Sequence, residues 1–264
     1  MKVAEVAYAM KKRALEERDE AHANAEKQQK TLTDIAKEWI CPITHELPIK
    51  PVTAEDGKIY EEKAIREWFS KKDGDPTSPS TGAVIGTRLL PAPQARNIIE
   101  ELVKSGDIDD ELATAWKEKL EQEKVVKEWR AKAEGGDGYA MLRLGARYAG
   151  EDDVQSRAWF ERSAATRNPP GMAMFGECLL RGIGGPKDNV LGLVNATEGA
   201  HLGSDLAAYR LGWAFFEGGH GLSKDPVRAR YWLKKIADGE CEHKHLQQKN
   251  ITEAAEWLRE LQEE

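Results

Sequence analysis

Three segments of the chain, AMLRLGARY, GMAMFGECLL and AAYRLGWAFF, align on Gly145, Gly176 and Gly212. Between them Pro186-Lys187-Asp188 returns as Ser223-Lys224-Asp225, and the aromatic run Trp159-Phe160 returns two periods later as Tyr231-Trp232-Leu233. A period in the mid-thirties built from two helical segments has one stable outcome. Each unit cannot bury its apolar face alone, so neighbours stack into an α-solenoid. The glycines have a physical reason to recur. Gly inside a helix costs about 1 kcal/mol relative to Ala, so its return in register marks close helix–helix approach, with aromatics on the partner helix filling the volume.

These features resemble the Sel-1-like repeat, a TPR-like pair of helices with the rough pattern A-x-x-x-LG-x-x-Y followed by A-x-x-WY-x-x-AA. Repeat one, near 138–168, is about five residues short in its loop. Repeat two, near 171–203, has Asn195-Ala196 where the aromatic pair belongs, and repeat three, near 206–239, fits best. The solenoid is placed at 135–249, with NITEAAEWLRELQEE (250–264) as a polar capping helix.

The stretch from Trp39 to Val103 obeys different rules. Pro42, Pro48 and Pro51 exclude a helix over 42–52. Asp56-Gly57 marks a tight turn between extended pieces at Lys50–Thr53 and Lys58–Tyr60. Residues 61–71 (EEKAIREWFSK) place acids first and lysines last, matching the helix dipole, and Ile65, Trp68 and Phe69 share one face. Asp73-Gly74-Asp75-Pro76 ends that helix. A second loop, Ser78 to Pro91, leads into a closing helix carrying Ile98, Ile99, Leu102 and Val103. Two zinc sites would need about eight Cys or His ligands, and this stretch offers Cys41 and His45. Hydrogen bonds, ion pairs and packing must brace the loops instead.

These residues resemble the U-box family, the metal-free relatives of RING ubiquitin ligases, over about a quarter of the chain. The resemblance implies a ubiquitin-protein ligase with no catalytic side chain of its own. Such a protein docks a ubiquitin-conjugating enzyme loaded with ubiquitin as a thioester, and rate comes from proximity and orientation. By resemblance Ile43, Trp68 and Pro79 form the conjugating-enzyme contact. Taken singly, each has a plainer reading: Ile43 and Trp68 as core, Pro79 as turn chemistry. The resemblance also assigns loop bracing to polar groups of Glu46, Asp56, Glu61, Ser78, Ser80, Thr81 and Arg96. A network of this kind holds only if nearly every buried member is satisfied. The chain departs from the family pattern at Pro48, Lys50, Ala92 (usually Asn) and Ala95. Gly82 falls near where many active members carry an Arg or Lys that touches both ubiquitin and the conjugating enzyme. Those departures leave a second reading open, a non-enzymatic adaptor with a degenerate U-box and a protein-binding solenoid.

Composition bounds the remainder. With 39 Lys and Arg against 46 Asp and Glu, the net charge is −7, which argues against nucleic-acid binding. No apolar run reaches the 18 residues of a membrane span, and the first twenty residues carry five acids and no apolar signal core. Three scattered cysteines, Cys41, Cys178 and Cys241, suit reduced thiols in the cytoplasm or nucleus. Enzyme motifs are missing. Cys241-Glu242-His243-Lys244-His245 could supply metal ligands but reads more simply as a solvated loop. No cofactor and no metal are expected. Residues 1–37 are rich in Ala, Lys, Glu and Gln, a solvated helix or a coiled-coil arm that makes a homodimer. The expected chain is mainly α: a charged helical arm at 1–37, a small α+β U-box at 38–106, a linking helix at 107–134 with Trp116 and Trp129, then the solenoid and its cap. The expected partners are the loaded conjugating enzyme and a protein substrate or partner complex on the solenoid.

Overall fold

The computed structural model describes residues 12–13, 15, 17–20, 22–24, 27, 36–71, 74–106, 108 and 110–263. Contacts divide the chain into two compact units, Met1–Glu123 and Lys124–Glu264. Of the charged arm, the described residues between Lys12 and Lys27 are helical and exposed, and Ala36 and Lys37 are helical, with Ala36 buried in the first unit; the coiled coil lies outside the described residues.

In the first unit β1 (Pro51–Thr53) sits between β2 (Ile59–Glu61) and β3 (Leu90–Pro91), both antiparallel to it. The register pairs Val52 with Tyr60 on one side and with Pro91 on the other. Between β1 and β2, Asp56 accepts the Lys58 N–H while Gly57 takes φ +74°, a backbone state that favours glycine. Helix α1 (Glu62–Ser70) follows β2 directly, and α2 (Pro93–Ser105) closes the fold, with Pro at its start and Gly106 in the left-handed conformation at its end. It buries Ala95, Ile99 and Val103, an i, i+4, i+8 stripe, and leaves Ile98 at the surface.

Two apolar clusters hold this unit. One gathers Cys41, Val52, Ala54, Tyr60 and Ile65. The other joins Leu47, Ile49, Ile99, Val103 and Trp116. Trp116 belongs to α3 (Asp110–Glu134), whose Ala113 and Trp116 pack in the first unit. Its Val126, Trp129 and Ala133 pack in the second.

The second unit is built of helix pairs: α4 (Gly138–Tyr148) with α5 (Asp153–Ala165), α6 (Pro169–Arg181) with α7 (Asn189–His201), and α8 (Asp205–Glu217) with α9 (Pro226–Ala237). A last helix, α10 (Gln248–Glu263), packs on α8 and α9. The recurring aspartates are N-caps. Asp152, Asp188 and Asp225 each accept an N–H of the first turn of the second helix in their pair. The first connection, 149–152, is three and four residues shorter than 182–188 and 218–225, a smaller deficit than the five expected.

The aligned glycines sit where helices meet, but not in the same way. A Cβ at Gly145 would lie 2.5 Å from the Phe160 ring, and one at Gly212 would lie 2.6 Å from Leu233 Cδ2. At Gly176 it would meet backbone, 2.9 Å from the Gly192 carbonyl oxygen and 3.3 Å from Ala196 N. Phe160, Ala196 and Leu233 occupy the same register after their N-caps. The middle pair lacks an aromatic there because its two backbones touch. Asn195, also buried, turns its amide back onto the Leu191 carbonyl at 2.9 Å.

Candidate functional site

The two loops flanking α1 are held by two sets of polar bonds. The first centres on Asp56. Its carboxylate accepts the Tyr60 hydroxyl at 2.7 Å and the Ser78 hydroxyl at 2.5 Å. Ser78 Oγ in turn accepts the N–H groups of Ser80 and Thr81 at 3.1 and 3.0 Å. One carboxylate therefore ties the β1–β2 turn to the second loop, and both hydroxyl-bearing residues are fully buried. Burial alone would push the Asp56 carboxyl up. The bonds from Ser78, Lys58 N–H and Tyr60 together outweigh it and hold the carboxyl below its usual value. Tyr60 is pushed up to about 12, first by burial and then by its bond to Asp56.

The second set fixes the end of the first loop. Glu61 Oε2 accepts the Ile49 and Lys50 N–H groups at 2.7 and 3.2 Å. Arg96 donates from Nη1 to the Ile49 carbonyl at 2.8 Å and reaches Glu123 from Nη2 at 3.5 Å. Lys50 takes the other Glu123 oxygen at 3.1 Å, and the Trp116 indole N–H donates to the Pro48 carbonyl at 3.2 Å. Glu46 pairs with Lys119.

Of the seven residues expected to brace the loops, Asp56 and Ser78 meet directly, and Glu61 and Arg96 share the Ile49 peptide unit. Ser80 and Thr81 join through backbone N–H groups, while the Glu46 side chain turns to α3. Lys119 and Glu123 carry no signal in the sequence. They stand in KEKLEQEKVVKEWR, where charges alternate on every face.

The three expected contact residues lie beside this network. Ile43 and Trp68, both half-buried, pack against the cluster of Cys41, Val52, Ala54, Tyr60 and Ile65. The Trp68 indole N–H donates to the Thr77 carbonyl at 2.9 Å, which holds the second loop against α1. Pro79 follows two residues on, half-buried beside the anchored Ser78. Cys41 is fully buried and His45 is exposed, so the thiol is a packing group.

The Cys241–His245 stretch is pinned as a strap on the second unit. His243 N–H donates to the Gly203 carbonyl at 3.0 Å, and Asp205 Oδ2 accepts the His245 and Leu246 N–H groups at 2.7 and 2.9 Å. Among the described residues no trio of His, Cys, Asp or Glu is placed to hold a metal ion.

Comparison with known proteins places names on both parts. Residues 35–108 match the U-box domain model, and residues 138–165, 169–204 and 205–241 match the Sel1 repeat model. The chain carries a U-box followed by Sel1 repeats. The U-box is similar to that of the human WD repeat, SAM and U-box domain-containing protein 1, 48% identical over 56 residues, which are 21% of this chain and 11% of that one. A Lotus japonicus protein named "Putative E3 ubiquitin-protein ligase LIN-1" is 35% identical over 82 residues, 31% of this chain and 5% of its own. The chain thus spans a small part of the length of these relatives. A Sel1 repeat protein from Oxalobacter formigenes, solved by crystallography, aligns over 43% of this chain and 89% of its own, with 30% identity and a TM-score of 0.39. Among the described residues no helix is long and apolar enough to cross a membrane.

Two departures of this U-box acquire a structural meaning. Gly82 is exposed at φ +74°, in the turn closed by its N–H on the Ser78 carbonyl at 2.9 Å. Ala92 is the N-cap of α2 and offers no side-chain acceptor to the first turn. Ala92→Asn is expected to stabilise the U-box by about 1 kcal/mol, because Asn is among the best N-cap residues and Ala among the poorest. Denaturant unfolding of the two proteins, read at the first-unit tryptophans, checks it; an unchanged midpoint would refute the assignment.

Proposed function

We propose that the chain is a U-box-type ubiquitin-protein ligase that docks a ubiquitin-loaded conjugating enzyme on Ile43, Trp68 and Pro79. A lysine of a protein recruited by the Sel1 repeats receives the ubiquitin. The carrying observation is the bond from Trp68 to the Thr77 carbonyl. It anchors the loop bearing Pro79 to the helix bearing Trp68, while Ile43 packs on the same cluster as Trp68. Half-buried apolar groups fixed from behind are what a small, energetically concentrated interface needs. No side chain of this protein bonds to ubiquitin in the reaction. The thioester on the conjugating enzyme is attacked by the substrate amine, and the ligase contributes placement.

The test is chain formation with activating enzyme, a panel of conjugating enzymes, ubiquitin and ATP. Ile43→Ala, which trims a half-buried side chain, is expected to lower the rate by about tenfold or more with little change in stability, as loss of an interface anchor does. The absence of chains with every conjugating enzyme would overturn the reading. The adaptor alternative is favoured by Gly82, which leaves that turn without a cation. Ile43→Ala would then change nothing in any ubiquitin assay.

A further inference from the structure

A cleft of about 380 Å³ lies between α6, α8 and α10, the first helices of the second and third Sel1 repeats and the final helix. Its floor holds Glu177, only 7% exposed. Each Glu177 oxygen receives one guanidinium: Arg181 Nη1 at 3.1 Å and Arg210 Nε at 3.1 Å. Two cations thus converge on one buried carboxylate, and both keep their outer edges in solvent, with side chains 61% and 39% exposed. Arg181 spends one nitrogen on Glu177 and Arg210 spends one; neither makes a further hydrogen bond among the described residues, and the Arg210 guanidinium lies 5.6 Å over the Tyr209 ring. The other wall is aromatic. Trp257 stacks on Tyr209 at 5.4 Å, and Trp213 stands beside His220 at 5.4 Å.

The free polar groups of the cleft are therefore mostly donors. Glu177 has both oxygens engaged, and its charge offsets one of the two guanidinium charges. Glu253 accepts the Tyr209 hydroxyl at 2.5 Å, and it is the carboxylate of the lining that no arginine pairs with, so it opposes an anion most directly. His220 adds no charge near neutral pH, since burial pushes its pKa down. A guanidinium held in place by a buried acid is preorganised, and its fork matches a carboxylate in two parallel bonds.

We propose that this cleft binds an acidic peptide segment of the recruited protein. A carboxylate would sit on the outer N–H groups of Arg181 and Arg210, with a neighbouring aromatic or aliphatic side chain on Trp213 and Trp257. The proposal deepens the recruitment role assigned to the repeats above and rests on it.

A random octapeptide library panned on the full chain tests it. Enrichment of Asp or Glu next to an aromatic or aliphatic residue is the expected result. The leading peptide, fluorescein-labelled and followed by anisotropy, should bind about tenfold more weakly when its acids become amides, and likewise to Arg181→Gln, the loss expected for a hydrogen bond to a charged group. Arg181→Gln touches an exposed side chain, and its melting temperature controls for folding. Glu253→Gln should tighten binding. Enrichment of Lys or Arg, no enrichment over the unselected library, equal binding by Arg181→Gln, or weaker binding by Glu253→Gln would each overturn the proposal. Ile43→Ala should pan identically. Failure here with chain formation intact removes the cleft assignment alone, and lost chain formation with peptide binding intact removes the ligase reading alone.

Discussion

Asp56→Ala is expected to unfold the U-box while the Sel1 repeats stay folded. The substitution leaves the Tyr60 and Ser78 hydroxyls, both on fully buried residues, without their acceptor. Hydrogen bonds to a charged group contribute roughly 1.5–3 kcal/mol each, so losing two removes about 3–6 kcal/mol. A domain of this size has about 5 kcal/mol in total. Amide exchange read by mass spectrometry should show Cys41–Val103 exchanging fast and Gly138–Ala237 unchanged. A U-box that stays protected would show that packing alone holds the loops. Asp56→Asn, which keeps an acceptor oxygen, should lose less.

The same carboxylate sets a pH limit. Its folded pKa lies below the ordinary 3.8, so its contribution is present above that value and is lost as pH falls through the lower, folded one. Tyr60 acts at the other end. Its pKa rises from 10 to about 12, so its contribution is intact below pH 10 and is lost as pH climbs toward 12. Asp56→Asn should flatten the acid side of the first unit's stability profile.

Gly176→Val is expected to be the most damaging change among the three aligned glycines, at about 3 kcal/mol or more, beyond the usual overpacking penalty of 1–3 kcal/mol. At Gly145 and Gly212 the obstructing atoms belong to side chains. At Gly176 they are the Gly192 carbonyl and Ala196 N, and two helices must part to admit a branched side chain. Thermal unfolding followed by circular dichroism at the three variant sites would rank them. Equal losses at all three would refute the distinction between side-chain and backbone contact.

The repeats were legible because their signals are local and recur: a glycine that only close approach explains, and an aspartate that caps each second helix. The expected strands and helix of the U-box appear within a residue or two, since Pro42, Pro48, Pro51 and Asp56-Gly57 permit few alternatives. What stayed hidden is long-range. β3 is two residues, Leu90 and Pro91, too short for any period to register. Ile98 and Ile99 are indistinguishable in sequence, and only the stripe from Ala95 to Val103 decides which is buried. In α3 one face packs in the first unit up to Leu120 and another in the second from Val126, so no single apolar face runs its length. Asn195-Ala196 looked like decay of the second repeat, whereas the contact at Gly176 requires a small residue there.

The Asp56 knot also decides which insults this domain can survive. Thiolate and imidazole braces fail when a chelator strips their ion or when sulfur is oxidised. A carboxylate gripped by two hydroxyls presents neither weakness, so zinc starvation and peroxide leave its joint intact.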